Sequence, residues 1–166
     1  MRGTRILLSI ATVALAAGCQ APDDITPPGT PLLVAACAGE QPTGPQTIAG
    51  PDLARFIADT QLPSGVRVAG GQLALSAAQP GLVDLSLDLC LPGAADLDEL
   101  RAVATALAHD LKAHELGTRT AALAVACVCP ANPGPIAVRD QSFGQHPWDG
   151  TPSPGAELLN WEIVTG

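Results

Sequence analysis

From position 83 to 91 the chain alternates without a break: Val83, Leu85, Leu87, Leu89 and Leu91 share one parity, and Asp84, Ser86, Asp88 and Cys90 the other. Successive side chains of a strand point to opposite faces, so this is a half-buried strand with one apolar face that needs a cover. The cover follows at once. Asp96, with Glu99 three residues on, has the form of a capping box, and Leu100, Val103, Ala104, Leu107 and Leu111 then recur at helical spacing. With Gly117 read as a left-handed C-cap, the pattern predicts a helix over 97–116, the longest in the chain. The next run, 121–129, is apolar at both parities and rich in small side chains, as expected of a central strand covered on both faces.

The remaining elements are shorter. Pro51 suits a first helical position, and Leu53, Phe56, Ile57 and Thr60 repeat at helical spacing behind it. Val and Leu dominate 66–76, where Gly70 and Gly71 suggest a bulged strand. Short strands are also expected at 133–140 and at 158–164, the last with Leu159, Trp161 and Ile163 on one face. The sum is an α+β domain over 50–166: an antiparallel or mixed sheet of about 4–6 strands, with one long and one short helix packed on it. Before it, 19–49 carries Pro22, Pro27, Pro28, Pro31, Pro42 and Pro45 among small polar residues and reads as a tether. Its apolar exception, 32–38, is a possible edge strand.

The first residues have another character. Arg2 and Arg5 precede an apolar run of twelve residues, 6–17, which is too short to cross a hydrocarbon core, for which about twenty are needed. Cations, a short apolar run and small residues in that order are the layout of an export signal, here 1–18. Its end, Leu15-Ala16-Ala17-Gly18-Cys19, resembles the lipobox of bacterial lipoproteins, with Ala16 where that family usually has leucine. The resemblance covers this segment alone. It implies that Cys19 becomes a lipid-bearing N-terminus, that the protein is anchored on the extracytoplasmic face of a membrane, and that 148 residues remain after cleavage. Acyl chains contribute about 0.8 kcal/mol per buried methylene, so two or more hold a protein firmly.

Export bears on the other cysteines. Cys37, Cys90, Cys127 and Cys129 are an even number in a chain bound for an oxidising compartment, which predicts disulfides. Cys127 and Cys129 lie two apart on an expected strand and point the same way, so each is expected to bond to Cys37 or Cys90 rather than to the other. Removing Arg2 and Arg5 leaves six basic against sixteen acidic residues, a formal charge of −10. Such a surface repels nucleic acid and anionic lipid and favours a basic partner surface. With two Phe, two Trp and no Tyr there is little aromatic area for stacking on bases or sugars.

Motifs for chemistry are sparse. There is no Gly-x-Ser-x-Gly elbow, no His-Glu-x-x-His, no phosphate-binding glycine loop and no Cys-x-x-Cys. Asp110 and His114, at i and i+4, could share a helix face to hold a metal, but the helical wheel sets His109 nearly opposite His114. Asp84 and Asp88 lie roughly 13 Å apart along a strand, beyond the usual spacing of paired catalytic carboxylates, and read as a solvated face. The loop 141–155 holds Phe143, His146, Trp148 and Asp149, a possible recognition patch, or else an aromatic pin over the core. The expectation is a lipid-anchored, non-catalytic binding or accessory module of the cell envelope, with no cofactor and no metal. A small-molecule or metal-binding lipoprotein and an envelope hydrolase without a recognisable motif are the alternatives.

Overall fold

The computed structural model describes Cys37 and residues 50–92, 96–129 and 136–164. Five strands form one mixed sheet in sequential order: β1 (Arg67–Leu75), β2 (Val83–Cys90), β3 (Thr120–Cys127), β4 (Ile136–Asp140) and β5 (Glu162–Val164). β2 and β3 are parallel and every other pairing is antiparallel. Joining parallel neighbours requires a crossover, and α2 (Leu97–Ala113) supplies it, packed on the face of the sheet that its own flanking strands make apolar. α1 (Pro51–Asp59) covers the same face beside β1, and a one-turn helix, α3 (Pro154–Glu157), precedes β5. The α+β class, the mixed sheet and the single long helix are as the sequence pattern predicts.

Register explains the core. Leu85, Leu87 and Leu89 lie opposite Leu123, Val125 and Cys127, and Val138 opposes Val125 on the other side. All seven are buried, and they meet Leu100, Val103, Ala104, Leu107 and Leu111 of α2. Fully burying a side chain of this size contributes roughly 1.5–3 kcal/mol, which makes this layer the main source of cohesion. Gly71 marks the closest approach of α1 to the sheet: a Cβ there would come within 3.0 Å of Leu87 Cδ2 and 3.1 Å of Leu53 Cδ2. The expected bulge lies between Val68 and Gly70.

Four local expectations need correction. The long helix starts as predicted, with Asp96 Oδ1 accepting from Glu99 N–H at 2.8 Å, but it ends at Ala113. His114 then caps a 3-10 turn, Glu115–Arg119, by accepting from Leu116 N–H. Gly117 lies in that turn because of space rather than left-handed backbone: a Cβ would fall 2.0 Å from the Leu111 carbonyl oxygen. The final strand is only Glu162–Val164, since Leu158–Asn160 forms a 3-10 turn in which strand alternation does not apply, leaving Leu159 at the surface and Trp161 buried. β3 is central, but among the described residues helices cover only one of its faces. The small side chains of Ala124 and Ala126 point to the other.

The disulfides are Cys37–Cys90 and Cys127–Cys129, so the expectation that the last two avoid each other is wrong. β3 ends at Cys127, and the Cα atoms of the pair are 5.5 Å apart, less than the roughly 6.6 Å that two residues of extended chain would give. The chain curls past the strand end, and parity no longer holds the sulfurs apart. Both cysteines are buried. The possible edge strand over 32–38 lies outside the described residues apart from Cys37, where the backbone is helical. The segments 1–18 and 19–36 lie outside them too.

Candidate functional site

Asp140 is the last residue of β4 and shares the inward parity of Ile136 and Val138, so its carboxylate enters the helix-covered layer. It is 1% exposed and is met by three donors. Ser142 N–H reaches Oδ1 at 2.8 Å, while His146 Nδ1 at 2.8 Å and Trp148 Nε1 at 3.0 Å converge on Oδ2. Glu157, at the far end of the same connection, is equally buried and accepts from Gly150 N–H at 2.8 Å and from His109 Nε2 of α2 at 2.9 Å. Buried carboxylates persist only when donors replace lost water, and here each draws part of the loop 141–157 inward to supply them.

The aromatic members of that loop are core. Phe143 and Trp148 are 0% and 2% exposed, Trp148 packs against Trp161 at 4.8 Å between ring centroids, and Trp161 Nε1 donates to Thr105 Oγ1 of α2. Lys112 lies 4.6 Å above the Phe143 ring and donates to the Gly144 carbonyl; burial pushes its ammonium below the usual range, against the opposing pull of Asp140. Phe143 and Trp148 therefore present no surface to a partner. His146 and Asp149 remain accessible, the second held below the ordinary carboxylate range by the Thr151 hydroxyl and amide that bond to it.

His146 held by a buried carboxylate is the base half of a hydrolytic triad in outline. A nucleophile is the missing half: among the described residues no hydroxyl or thiol is hydrogen-bonded to His109, His114 or His146. Asp110 and His114 do share a face, lining with Phe56, Asp59 and Thr60 a shallow groove of about 220 Å³. Even so, no group of three or more ligating side chains among the described residues has metal-binding geometry.

The other face of the sheet is different in kind. No helix covers it among the described residues, and register places Gln72 and Ala74, then Asp84, Ser86 and Asp88, then Ala122, Ala124 and Ala126, then Ala137 and Arg139 on it. Small side chains at its centre leave a groove of about 320 Å³. Its carboxylates are not the freely solvated pair expected. Asp84 stands 4.0 Å from Arg139 through Oδ2, while its Oδ1 is shielded from solvent with no hydrogen-bond partner among the described residues. Desolvation raises the Asp88 carboxyl above its ordinary range.

A carboxyl whose folded pKa is raised binds its proton more tightly folded than unfolded. It therefore costs stability as pH rises from about 3.8 through the folded pKa, and that cost is complete above it. Asp88→Asn is accordingly expected to raise the melting temperature by a few degrees near neutral pH and to leave it unchanged below the unfolded carboxyl's pKa. Thermal melts across that range check this. A variant no more stable than the parent near neutrality would mean that water reaches Asp88 freely.

Sequence reasoning reached Asp84, Asp88 and His146 but missed Asp140 and Glu157. Asp140 was detectable, since it continues the inward parity of an apolar strand. Glu157 carries no comparable pattern. Comparison with known protein families, with curated proteins and with solved structures yields no match to this chain.

Proposed function

We propose that this chain is an extracytoplasmic lipoprotein, held at a membrane by lipid on Cys19, whose domain is a non-catalytic module that binds a basic protein surface. The observation that carries the binding role is the helix-free face of the sheet: a groove of about 320 Å³ with an alanine floor, lined by Asp88 and by Asp84, whose shielded Oδ1 has no hydrogen-bond partner among the described residues. A buried polar atom without a partner costs about 1–3 kcal/mol, and a donor from outside recovers it. Lysine or arginine on a partner supplies that donor, and the acidity of the chain steers such a partner in. Two disulfides agree with an oxidising compartment. The histidines favour a structural role, since each is already engaged with a carboxylate or a backbone amide.

The test uses the chain in its native membrane, with a photo-reactive benzoyl-phenylalanine at position 124 on the open face or at position 106 on the exposed side of α2. The expected result is a discrete adduct with one basic protein from position 124 only, lost in Asp84→Asn/Asp88→Asn, together with a diacylglyceryl mass on Cys19. Equal adducts from both positions, or none from 124, would refute the binding role. An unmodified Cys19 would refute the anchor.

A further inference from the structure

We propose that the partner presents to this face an extended segment with cationic side chains at its first and fifth positions and a carboxylate or amide at its third. This pattern, which rests on the binding role proposed above, follows from the layout of the face. Ala122, Ala124 and Ala126 of β3 form the floor, with Asp84, Ser86 and Asp88 of β2 opposite them on one side. On the other side Ala137 of β4 opposes Ala126, and Arg139 opposes Ala124. β2 and β4 are two strand spacings apart, roughly 10 Å, and the small floor makes a trough between them. β3 is hydrogen-bonded on both edges, so an occupant gains no ladder there and is recognised by the side chains of the walls.

Along the trough the walls alternate in charge. Asp84 and Asp88 are four residues apart on one strand, roughly 13 Å, and Arg139 stands midway, at the level of Ser86. Arg139 Nη2 lies 4.0 Å from Asp84 Oδ2, while Asp84 Oδ1 is left to accept from a donor outside the described residues. An extended chain advances about 3.3 Å per residue and turns alternate side chains to one side, so its first and fifth positions match the two carboxylates. Its third then stands between Arg139 and Ser86, both able to donate. An α-helix, at 1.5 Å per residue, would need its cations eight or nine positions apart, on a cylinder 10–12 Å across. With sixteen acidic against eight basic residues in the chain, attraction by net charge alone would grow with every added lysine. Arg139 is the element that rejects one at the third position.

Three end-blocked peptides, titrated into the full chain while the methyl resonances of Ala122, Ala124 and Ala126 are followed, test the pattern. They are Lys-Thr-Glu-Thr-Lys, its isomer Lys-Glu-Thr-Lys-Thr, and Lys-Thr-Lys-Thr-Lys. The first is expected to bind about tenfold more tightly than either of the others, the value of one charge-assisted pair. Asp84→Asn and Asp88→Asn should each abolish its advantage over the isomer, and Arg139→Gln should remove the discrimination against the third lysine, with the dispersed spectrum of each variant reporting that it is folded. Tightest binding by the all-lysine peptide, equal binding of the two isomers, or no shift at the three alanines would overturn the proposal. Capture of a basic protein from position 124 without any preference among the peptides keeps the binding role and removes the pattern. The reverse result keeps the pattern and removes the protein partner.

Discussion

Replacing Cys37 and Cys90 together by alanine is expected to lower the stability of the oxidised protein by about 4 kcal/mol, whereas Cys127→Ala with Cys129→Ala is expected to cost only about 1 kcal/mol from loss of the crosslink. The difference comes from the unfolded chain. Cys37 and Cys90 are 53 positions apart, so their bond removes a large volume of conformations from the denatured ensemble, while Cys127 and Cys129 are 2 apart and their bond removes few. For a chain of this length each kcal/mol moves the melting temperature by about 2–4 °C, so the first double variant should melt roughly 10 °C lower. Urea unfolding separates the mechanisms. A lower midpoint is expected in both cases, with an increased slope for the Cys37 and Cys90 variant as its denatured state expands. Equal losses for the two pairs would show that Cys37 adds little constraint to the fold.

The distribution of those bonds shows what sequence patterns can and cannot convey. Alternation at 83–91 and helical spacing after Asp96 are periodic demands, repeated over several turns or residues, and they place β2, α2 and the crossover between parallel strands in one reading. Where periodicity fails, inference fails with it. Strand parity does not reach two residues past the end of β3, so it does not keep Cys127 and Cys129 apart, and alternation does not run through the 3-10 turn before the last strand. Gly117 resembles a helix cap in sequence, whereas what the fold requires of it is the lack of a Cβ, which would meet the Leu111 carbonyl.

The candidate surfaces divide in the same way. Only half of the open face is legible in composition, in polar Asp84, Ser86 and Asp88 on one side of β2; the small residues at the same level on β3 read instead as a strand covered on both faces. That Asp88 is desolvated depends on what surrounds it, which no local pattern states. The loop after β4 was recognised by its aromatic content, yet the groups that organise it are carboxylates at its two ends, one from a strand terminus and one from a short helix. Their donors come from up to 48 positions away, as with His109 and Glu157, so neither residue could be paired from sequence alone.

Asp140→Ala is therefore expected to be the most damaging single substitution of an acidic residue, costing about 3–5 kcal/mol, the range for removing one side of a buried charged network. Three donors lose their acceptor at once, and one of them, Trp148 Nε1, is too deeply placed to turn to water. Asp140→Asn keeps an acceptor oxygen but turns an amide N–H toward the remaining donors, so an intermediate loss is expected. Because Trp148 packs on Trp161 and Trp161 is held by Thr105, loss of Asp140 should also redden tryptophan emission and weaken the near-ultraviolet circular dichroism of the pair. The helix-free face lies on the opposite side of the sheet from Asp140, so captures from position 124 should survive whenever the variant remains folded. Undiminished stability in Asp140→Ala would mean that the loop 141–157 is held by Glu157 and the aromatic packing alone, and an unchanged tryptophan spectrum would say the same of Trp148.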